Sequence, residues 1–281
     1  MPRSYRITLM NLILRRRFLW TSLAVTLVGA VIAYLVVWIP YEEEQKIAHA
    51  IEKVGGIADF DQYDPVPFLT PYLGRQDIFD RLRHVQLRDK NVSQDLLRQL
   101  GKLTRLEVLD LHNTPTTDAS LESFSQLKQL QVLRLEFTQI TDAGLAFLEP
   151  KTTLQVLHLD KTKITNDGLK RLRNHTNLRV LHLNGTQIGD EGLDHLADLK
   201  ELRWLSLDNT LVSDKGIAKL KPIKSLSELD LECTKVTLAG LDDLKELTTL
   251  ESLALFGTKI RRDGRKELRR ALPNCRVTPI P

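Results

Sequence analysis

The chain is poor in the residues that most often anchor chemistry. It has two cysteines in 281 residues, Cys233 and Cys275, and two methionines. That excludes a disulfide-stapled scaffold, and no cysteine spacing suited to a metal is present. No G-x-S-x-G, H-E-x-x-H, P-loop or G-x-G-x-x-G occurs, so the familiar nucleophile, metalloprotease and phosphate-cradling arrangements are missing. Aromatic residues make up 6% of the chain. No cofactor is implied, and the chain is not expected to be an enzyme.

A basic folded domain is missing too. The net charge is +4, from 40 basic and 36 acidic residues. Five of the basic residues are Arg3, Arg6, Arg15, Arg16 and Arg17, all ahead of residue 18. The remainder carries 35 basic residues against 36 acidic ones. Nucleic acid as a partner would call for a basic stripe on the folded domain, and the balance argues against it.

Long apolar runs are absent except for one. Phe18 to Ile39 contains no charge, and as a helix its length of about 33 Å would cover a hydrocarbon core of about 30 Å. Trp20 lies near one end and Trp38 and Tyr41 near the other, as interfacial aromatics do. Arginines precede the run and Glu42, Glu43 and Glu44 follow it. This order predicts a basic cytoplasmic N-terminus (1–17), a transmembrane helix (18–39), and everything after it outside the cytoplasmic membrane. A cleaved signal peptide would have a shorter apolar region and a small-residue cleavage site, where Pro40-Tyr41-Glu42-Glu43 stands instead. Gly29 and Ala33 are spaced for close packing of two such helices, which allows a weak homodimer.

What fills the rest is a repeat. Leucine returns in strict register at Leu82, Leu106, Leu130, Leu154, Leu178, Leu202, Leu226 and Leu250, with the same interval at every step. A fixed period of that length marks a solenoid. One unit, Leu130 to Thr153, reads LQVLRLEFTQITDAGLAFLEPKTT. Leu133 and Leu135 alternate as in a strand buried on one side. Thr141-Asp142 is a helix N-cap pair, and Leu145 and Leu148 share a helical face. Each unit is therefore a short strand, a turn and a short helix, and neighbouring units must stack to bury their apolar sides. Eight units span 82–273, and 274–281 holds a closing strand, Cys275-Arg276-Val277. Residues 40–81 read as an N-terminal cap: a helix from Glu42 to Val54 ended by Gly55-Gly56, a strand at Ile57 to Phe60, proline breaks at Pro65, Pro67 and Pro71, and a second short helix near Asp77 to Leu82. The last helix, Lys266 to Ala271, caps the other end.

The pattern L-x-x-L-x-L-x-x-T-x-I-T-D-x-G-L-x-x-L resembles the leucine-rich repeat of bacterial proteins that carry T-D-A-G-L runs. Val108-Leu109-Asp110-Leu111, Ile140 to Leu145 and Ala271 to Cys275 carry the likeness. It covers about two thirds of the chain and implies an α/β solenoid, with binding of other proteins as the expected role. Thr stands where that repeat usually has Asn or Cys, at Thr114, Thr138, Thr162, Thr186, Thr210, Thr234 and Thr258, with Lys90 in the first unit. A threonine hydroxyl can bond turn backbone as an amide does, so this column reads as structural. In the stack Cys233 and Cys275 lie two steps apart, about 9.6 Å before any lateral offset, too far for a bridge.

Residues flanking the inward leucines face outward on the concave side. One row reads Val108, Val132, Val156, Val180, Trp204. The next reads Asp110, Arg134, His158, His182, Ser206, Asp230. The third reads His112, Glu136, Asp160, Asn184, Asp208, Glu232. Val suits a pleated surface, and duplication alone explains the valines. Trp204 reads either as a binding hot spot or as a local cation–π partner of Arg179 or Arg203. His158 and His182 are neighbours that could share a metal, but the pattern forces no third ligand and a solvated pair is the commoner arrangement, so no metal is expected. The sequons at Asn91, Asn174 and Asn184 would matter only in a secretory eukaryotic cell.

Together these readings describe a membrane-anchored solenoid that recognises a protein partner through Trp204, Val180, Val156, Arg134, His158, His182, Glu136, Asp160, Asp208 and Glu232. The alternative is a structural or scaffolding subunit of a cell-envelope complex with no dedicated concave ligand.

Overall fold

Residues 28, 31, 38–61 and 81–278 are described by the structure, a computed structural model. The strands are β1 (Ile57–Asp61), β2 (Arg81–Gln86), β3 (Val108–Asp110), β4 (Val132–Arg134), β5 (Val156–His158), β6 (Val180–His182), β7 (Trp204–Ser206), β8 (Glu228–Asp230), β9 (Ser252–Ala254) and β10 (Arg276–Thr278). They form one ten-stranded sheet in sequence order. From β2 to β10 the pairing is parallel with a constant shift of one repeat: His84, Val108, Val132, Val156, Val180, Trp204, Glu228, Ser252 and Arg276 form one continuous row.

Each of these strands puts its middle residue inward. Leu109, Leu133, Leu157, Leu181, Leu205 and Leu253 are buried, as are Leu111, Leu135, Leu159, Leu183 and Leu207 just beyond them. Short helices close the other side of this core, among them Asp118–Ser123, Asp142–Leu145, Asn166–Leu169 and Asp214–Leu220, with a 3-10 helix at Asp190–Leu196. Helices this short cannot sustain themselves alone; these persist because Leu145, Leu169, Leu193 and Ile217 pack into the core.

Three sets of hydrogen bonds recur along the stack, the first within each unit and the other two between neighbours. In the first, every threonine of the turn column donates its hydroxyl to the carbonyl three residues back, at 2.5–2.8 Å, from Thr114 to Leu111 through Thr258 to Leu255. The structural reading of that column holds. In the second, the residue before each threonine position is left-handed: Asp89, Asn113, Phe137, Lys161, Gly185, Asn209, Cys233 and Gly257 all have φ between +50° and +73°. This conformation turns the N–H of Asn113, Phe137 and Lys161 toward the carbonyl of Glu136, Asp160 and Asn184 in the next unit.

The third ladder explains the T-D pair. The Asp142 carboxylate accepts from both the backbone N–H (2.8 Å) and the hydroxyl (2.6 Å) of Thr165 in the following unit. Asp118 holds Thr141, Asp190 holds Ser213 and Asp214 holds Thr237 in the same way. Asn166 keeps one such bond, to the N–H of Gly189, at 2.8 Å. A Cβ on Gly168 would collide with the Asp142 carboxylate, and glycine recurs at this place in Gly144, Gly168, Gly192, Gly216 and Gly240, with Ser120 in the unit before. At two steps both sides depart, with Asn166 facing Gly189 and Leu238 facing a unit whose cap is Arg261, whereas Thr117 is kept opposite Gln94.

One buried column departs from leucine. Leu103, Leu127, Leu199, Ile223 and Leu247 are interrupted by Lys151 and His175, both within 2% of full burial. Lys151 Nζ donates to the carbonyls of Ser125 and Leu127, each at 3.3 Å, and His175 Nε2 lies 3.0 Å from the Leu148 carbonyl. Burial, together with Lys128, lowers the lysine to about 8.

Two expectations are corrected. Among the described residues no helix is long and apolar enough to cross a membrane, so the solenoid is supported and a preceding transmembrane helix is not. Nearly all of 18–39, with the Gly29–Ala33 pair, and the N-terminal 1–17 lie outside the described residues. The helix proposed near Asp77 to Leu82 also falls mainly outside them, and Arg81 and Leu82 begin a strand. The helix expected over Glu42 to Val54 occupies Ile39–Lys53, and its Ile47 and Ile51 join the core. Gly55, at φ +76°, ends it. The closing helix begins earlier than expected, running Arg262–Ala271. Cys233 and Cys275 are both free.

If the aspartate ladder holds the units together, Asp142→Ala costs about 1–3 kcal/mol, between Leu181→Ala at about 2–5 and exposed Gln187→Ala at less than about 0.5. A double-mutant cycle on Asp142 and Thr165, read by denaturant unfolding, returns a coupling energy of about 1 kcal/mol or more. Strictly additive single effects would show that the pair does not interact.

Candidate functional site

The open face of the sheet brings acidic, basic and imidazole side chains together. Its geometry follows from the register: equivalent residues of neighbouring units are side by side, and residues two apart on one strand share a face. On this grid Glu136 sits between two imidazoles. Its Oε1 is 2.8 Å from His158 Nδ1 and its Oε2 is 3.7 Å from His112 Nδ1. His158 in turn stacks on His182, ring centroids 4.0 Å apart and planes within 7°. His182 meets Trp204 edge-on at 4.6 Å. A diagonal chain of rings and one carboxylate thus crosses five units, from His112 to Trp204. Trp204 meets an imidazole, and its neighbour in the row beyond is Glu228.

Asp160 lies beside this chain. Its Oδ1 accepts the N–H of Asn184 at 2.7 Å, and its Oδ2 is 3.8 Å from His182 Nδ1. Burial, reinforced by the nearby Glu136 charge, raises the Asp160 carboxyl to about 6. Burial and the neighbouring His158 lower His182 to about 4. Burial acts to raise Glu136, but the hydrogen bond from His158 and the nearby imidazoles prevail and hold it below the usual value. At neutral pH His182 is therefore an uncharged ring.

The two ends of the face differ. Toward the N-terminal units, Asp110 lies 3.5 Å from Arg134 and 3.7 Å from Arg88, so charge is matched. Toward the C-terminal units, Asp208, Asp230 and Glu232 crowd together. Burial and mutual repulsion raise both Asp208 and Glu232. The Ser206 hydroxyl lies between Asn184 Oδ1 (2.6 Å) and Asp230 Oδ2 (3.0 Å). Val156 and Val180 are half-buried in the first row, and Trp204 is 39% exposed.

Reasoning from sequence alone missed two exposed aromatics here. Phe256 is 60% exposed and ends the third row, where continuing the column by one more unit would have found it. Phe137 is 51% exposed, in a left-handed turn position, and meets His112 edge-on at 5.2 Å. A left-handed phenylalanine costs about 1–2 kcal/mol. The ladder bond from its N–H to the Asp160 carbonyl helps to offset that cost. Beyond the face, a polar groove of ≈ 360 Å³ is lined by Glu107, Gln129, Gln131, Thr153, Gln155, Asn177 and Arg179.

Asp160→Asn tests the electrostatics. A carboxyl raised from 3.8 to about 6 favours the folded state fully below pH 3.8, and that favour is lost as pH rises through 6. Asparagine keeps the acceptor for Asn184 without the charge. The variant is thus more stable than the parent by about 1–2 kcal/mol at pH 8 and nearly unchanged at pH 4, as thermal unfolding at the two pH values reads. Equal effects at both would mean that Asp160 is not held in a costly ionised state.

The Leucine Rich repeat family matches residues 151–172 and 174–197. No curated protein matches the chain in sequence. Among solved structures, internalin C2 of Listeria monocytogenes is similar at a TM-score of 0.58 with 22% identity, over 75% of this chain and 89% of that one. A leucine-rich repeat protein of Leptospira interrogans is similar at a TM-score of 0.50 with 21% identity, over 64% of this chain and 50% of that one. The chain therefore spans half the length of the Leptospira protein. The matched units and the shared fold agree with a solenoid built from leucine-rich repeats.

Proposed function

We propose that the chain recognises a protein partner through the open face of its sheet, with Trp204 as the central anchor. The observation that carries this reading is a large aromatic left partly exposed, yet held in place by the ring of His182, on a face that also carries the crowded carboxylates Asp208, Asp230 and Glu232. A prearranged aromatic loses little conformational entropy on binding. Asp208, Asp230 and Glu232 suit a partner that brings basic residues next to an apolar one, and they act mainly on its rate of approach. Phe137 and Phe256 extend the apolar surface on either side. Val156, Val180, Arg134, His158, His182, Glu136 and Asp160 form the ground between them. The similarity of the fold to a leucine-rich repeat protein of Leptospira interrogans and to internalin C2 fits this role.

The scaffolding alternative is favoured by one observation. Leu211 and Leu238 are 50% and 52% exposed and lie outside the strands, so apolar side chains are exposed away from the open face as well.

Affinity capture with the repeat domain decides between them. Trp204→Ala weakens capture by roughly thirtyfold, about 2 kcal/mol, with thermal stability unchanged. Charge reversal at Asp208 and Glu232 slows association and flattens its salt dependence. Full capture by the Trp204→Ala protein would shift the role to the surface of Leu211 and Leu238.

Placement of the repeats outside the cytoplasm belongs to the same reading. It is supported by the order of charge in the sequence, five arginines before residue 18 and Glu42 to Glu44 after the apolar run. External protease digests the repeats of intact spheroplasts if this is so, and leaves them whole if it is not.

A further inference from the structure

We propose that His158, His182 and Asp160 bind a divalent transition-metal ion of the zinc type on the open face of the sheet. This goes beyond partner recognition and does not depend on it.

The three side chains come from adjacent strands, and their ligand atoms all lie within 4.8 Å of one another. Ionised Glu136 can only accept, so His158 Nδ1, 2.8 Å away, carries a hydrogen. A metal would then take the Nε2 lone pair of the neutral ring, and a carboxylate bonded to the far nitrogen is the arrangement that orients a metal-bound imidazole and strengthens it as a donor. His182 has a buried Nε2 without a hydrogen-bond partner among the described residues. A buried ring nitrogen left unmatched is costly, and a metal would satisfy it. Asp160 supplies the oxygen. Its Oδ1 is fixed by the Asn184 N–H, which leaves Oδ2 on the side of His182.

The electrostatics favour a dication. Asp160 and Glu136 bring two carboxylates to this place, and the Arg134 guanidinium is turned to Asp110. Two imidazoles and one carboxylate suit zinc, cobalt or nickel in place of calcium or magnesium, and three protein ligands leave one position for water or a partner's side chain. The stacked rings must open slightly to close on one ion, since tetrahedral ligands with bonds of about 2.0–2.1 Å lie roughly 3.3 Å apart. Both side chains are 15% exposed on an uncovered face, so nothing packed above them prevents that movement.

Titration of the full chain with zinc chloride, followed by calorimetry and thermal unfolding, tests the site. Saturable binding of one equivalent raises Tm, and EDTA reverses it. Cobalt(II) in its place gives a visible absorption band of a nitrogen–oxygen set. His158→Gln and His182→Gln each weaken binding at least about tenfold, one ligand's worth. His84→Gln and Cys233→Ser leave it intact, and circular dichroism without metal shows the variants folded. No saturable binding of zinc, cobalt or nickel by the parent overturns the proposal. So does unchanged one-equivalent binding by the folded His158→Gln/His182→Gln protein, which would move the ion elsewhere. Neither outcome touches capture of a protein partner by Trp204.

Discussion

Every repeat in this chain is too small to hold its own shape, and the fixed shift of one unit between neighbouring strands is the constraint on which the rest depends. Three-residue strands and helices of one or two turns acquire order only from the unit before and the unit after. The backbone ladder supplies the register. The aspartate ladder fixes it from the helix side, because a carboxylate reaching into the next unit can meet its threonine in one alignment only. The leucine columns then fall into line, and the outward rows follow as a by-product. The functional face is thus a projection of the same period that builds the core.

That projection has an electrostatic cost where duplication has placed similar groups side by side. Leucine on leucine is favourable, whereas carboxylate beside carboxylate or imidazole on imidazole is not. The molecule resolves this differently at its two ends. Asp110 is neutralised by Arg88 and Arg134, and Glu136 is shared by two histidines. Asp208, Asp230 and Glu232 instead crowd against one another. An unresolved repulsion of this kind persists in a folded protein when something outside the chain relieves it, which is why the C-terminal half of the face draws the partner argument.

Much of the solenoid was legible in the sequence. Leu109 to Leu253 gave away the inward column through their period, and Thr138 announced its turn bond by replacing an amide with a hydroxyl. The T-D pair was read as a helix cap, which is half of its role. That Asp142 reaches Thr165 needed no coordinates in principle: Leu238 and Arg261 depart together, as do Asn166 and Gly189. Other features were not accessible. Lys151 and His175 stand in a leucine column whose burial a polar residue disguises. The left-handed turn is occupied by Asp, Asn, Phe, Lys, Gly and Cys, a set with no shared chemistry, because its conformation is imposed by the ladder and not by the residue. The stacking of His158 on His182 depends on side-chain rotation, which a period cannot specify. The apolar run at 18–39 was read by length and charge alone, and the described helices do not bear that reading out.

Lys151 and His175 have a mechanical meaning. On either side of them the leucine column is continuous, and each unit grips the next through like against like. Across the two steps from the unit of Leu106 to that of Leu154 the grip passes instead through an ammonium and an imidazole bonded to carbonyl oxygens. Directional bonds resist twisting and sliding differently from oily contacts, which tolerate both. The helix side of the stack therefore holds two orientation-sensitive junctions between runs of leucine contacts, and the second of them joins the unit whose strand carries His158.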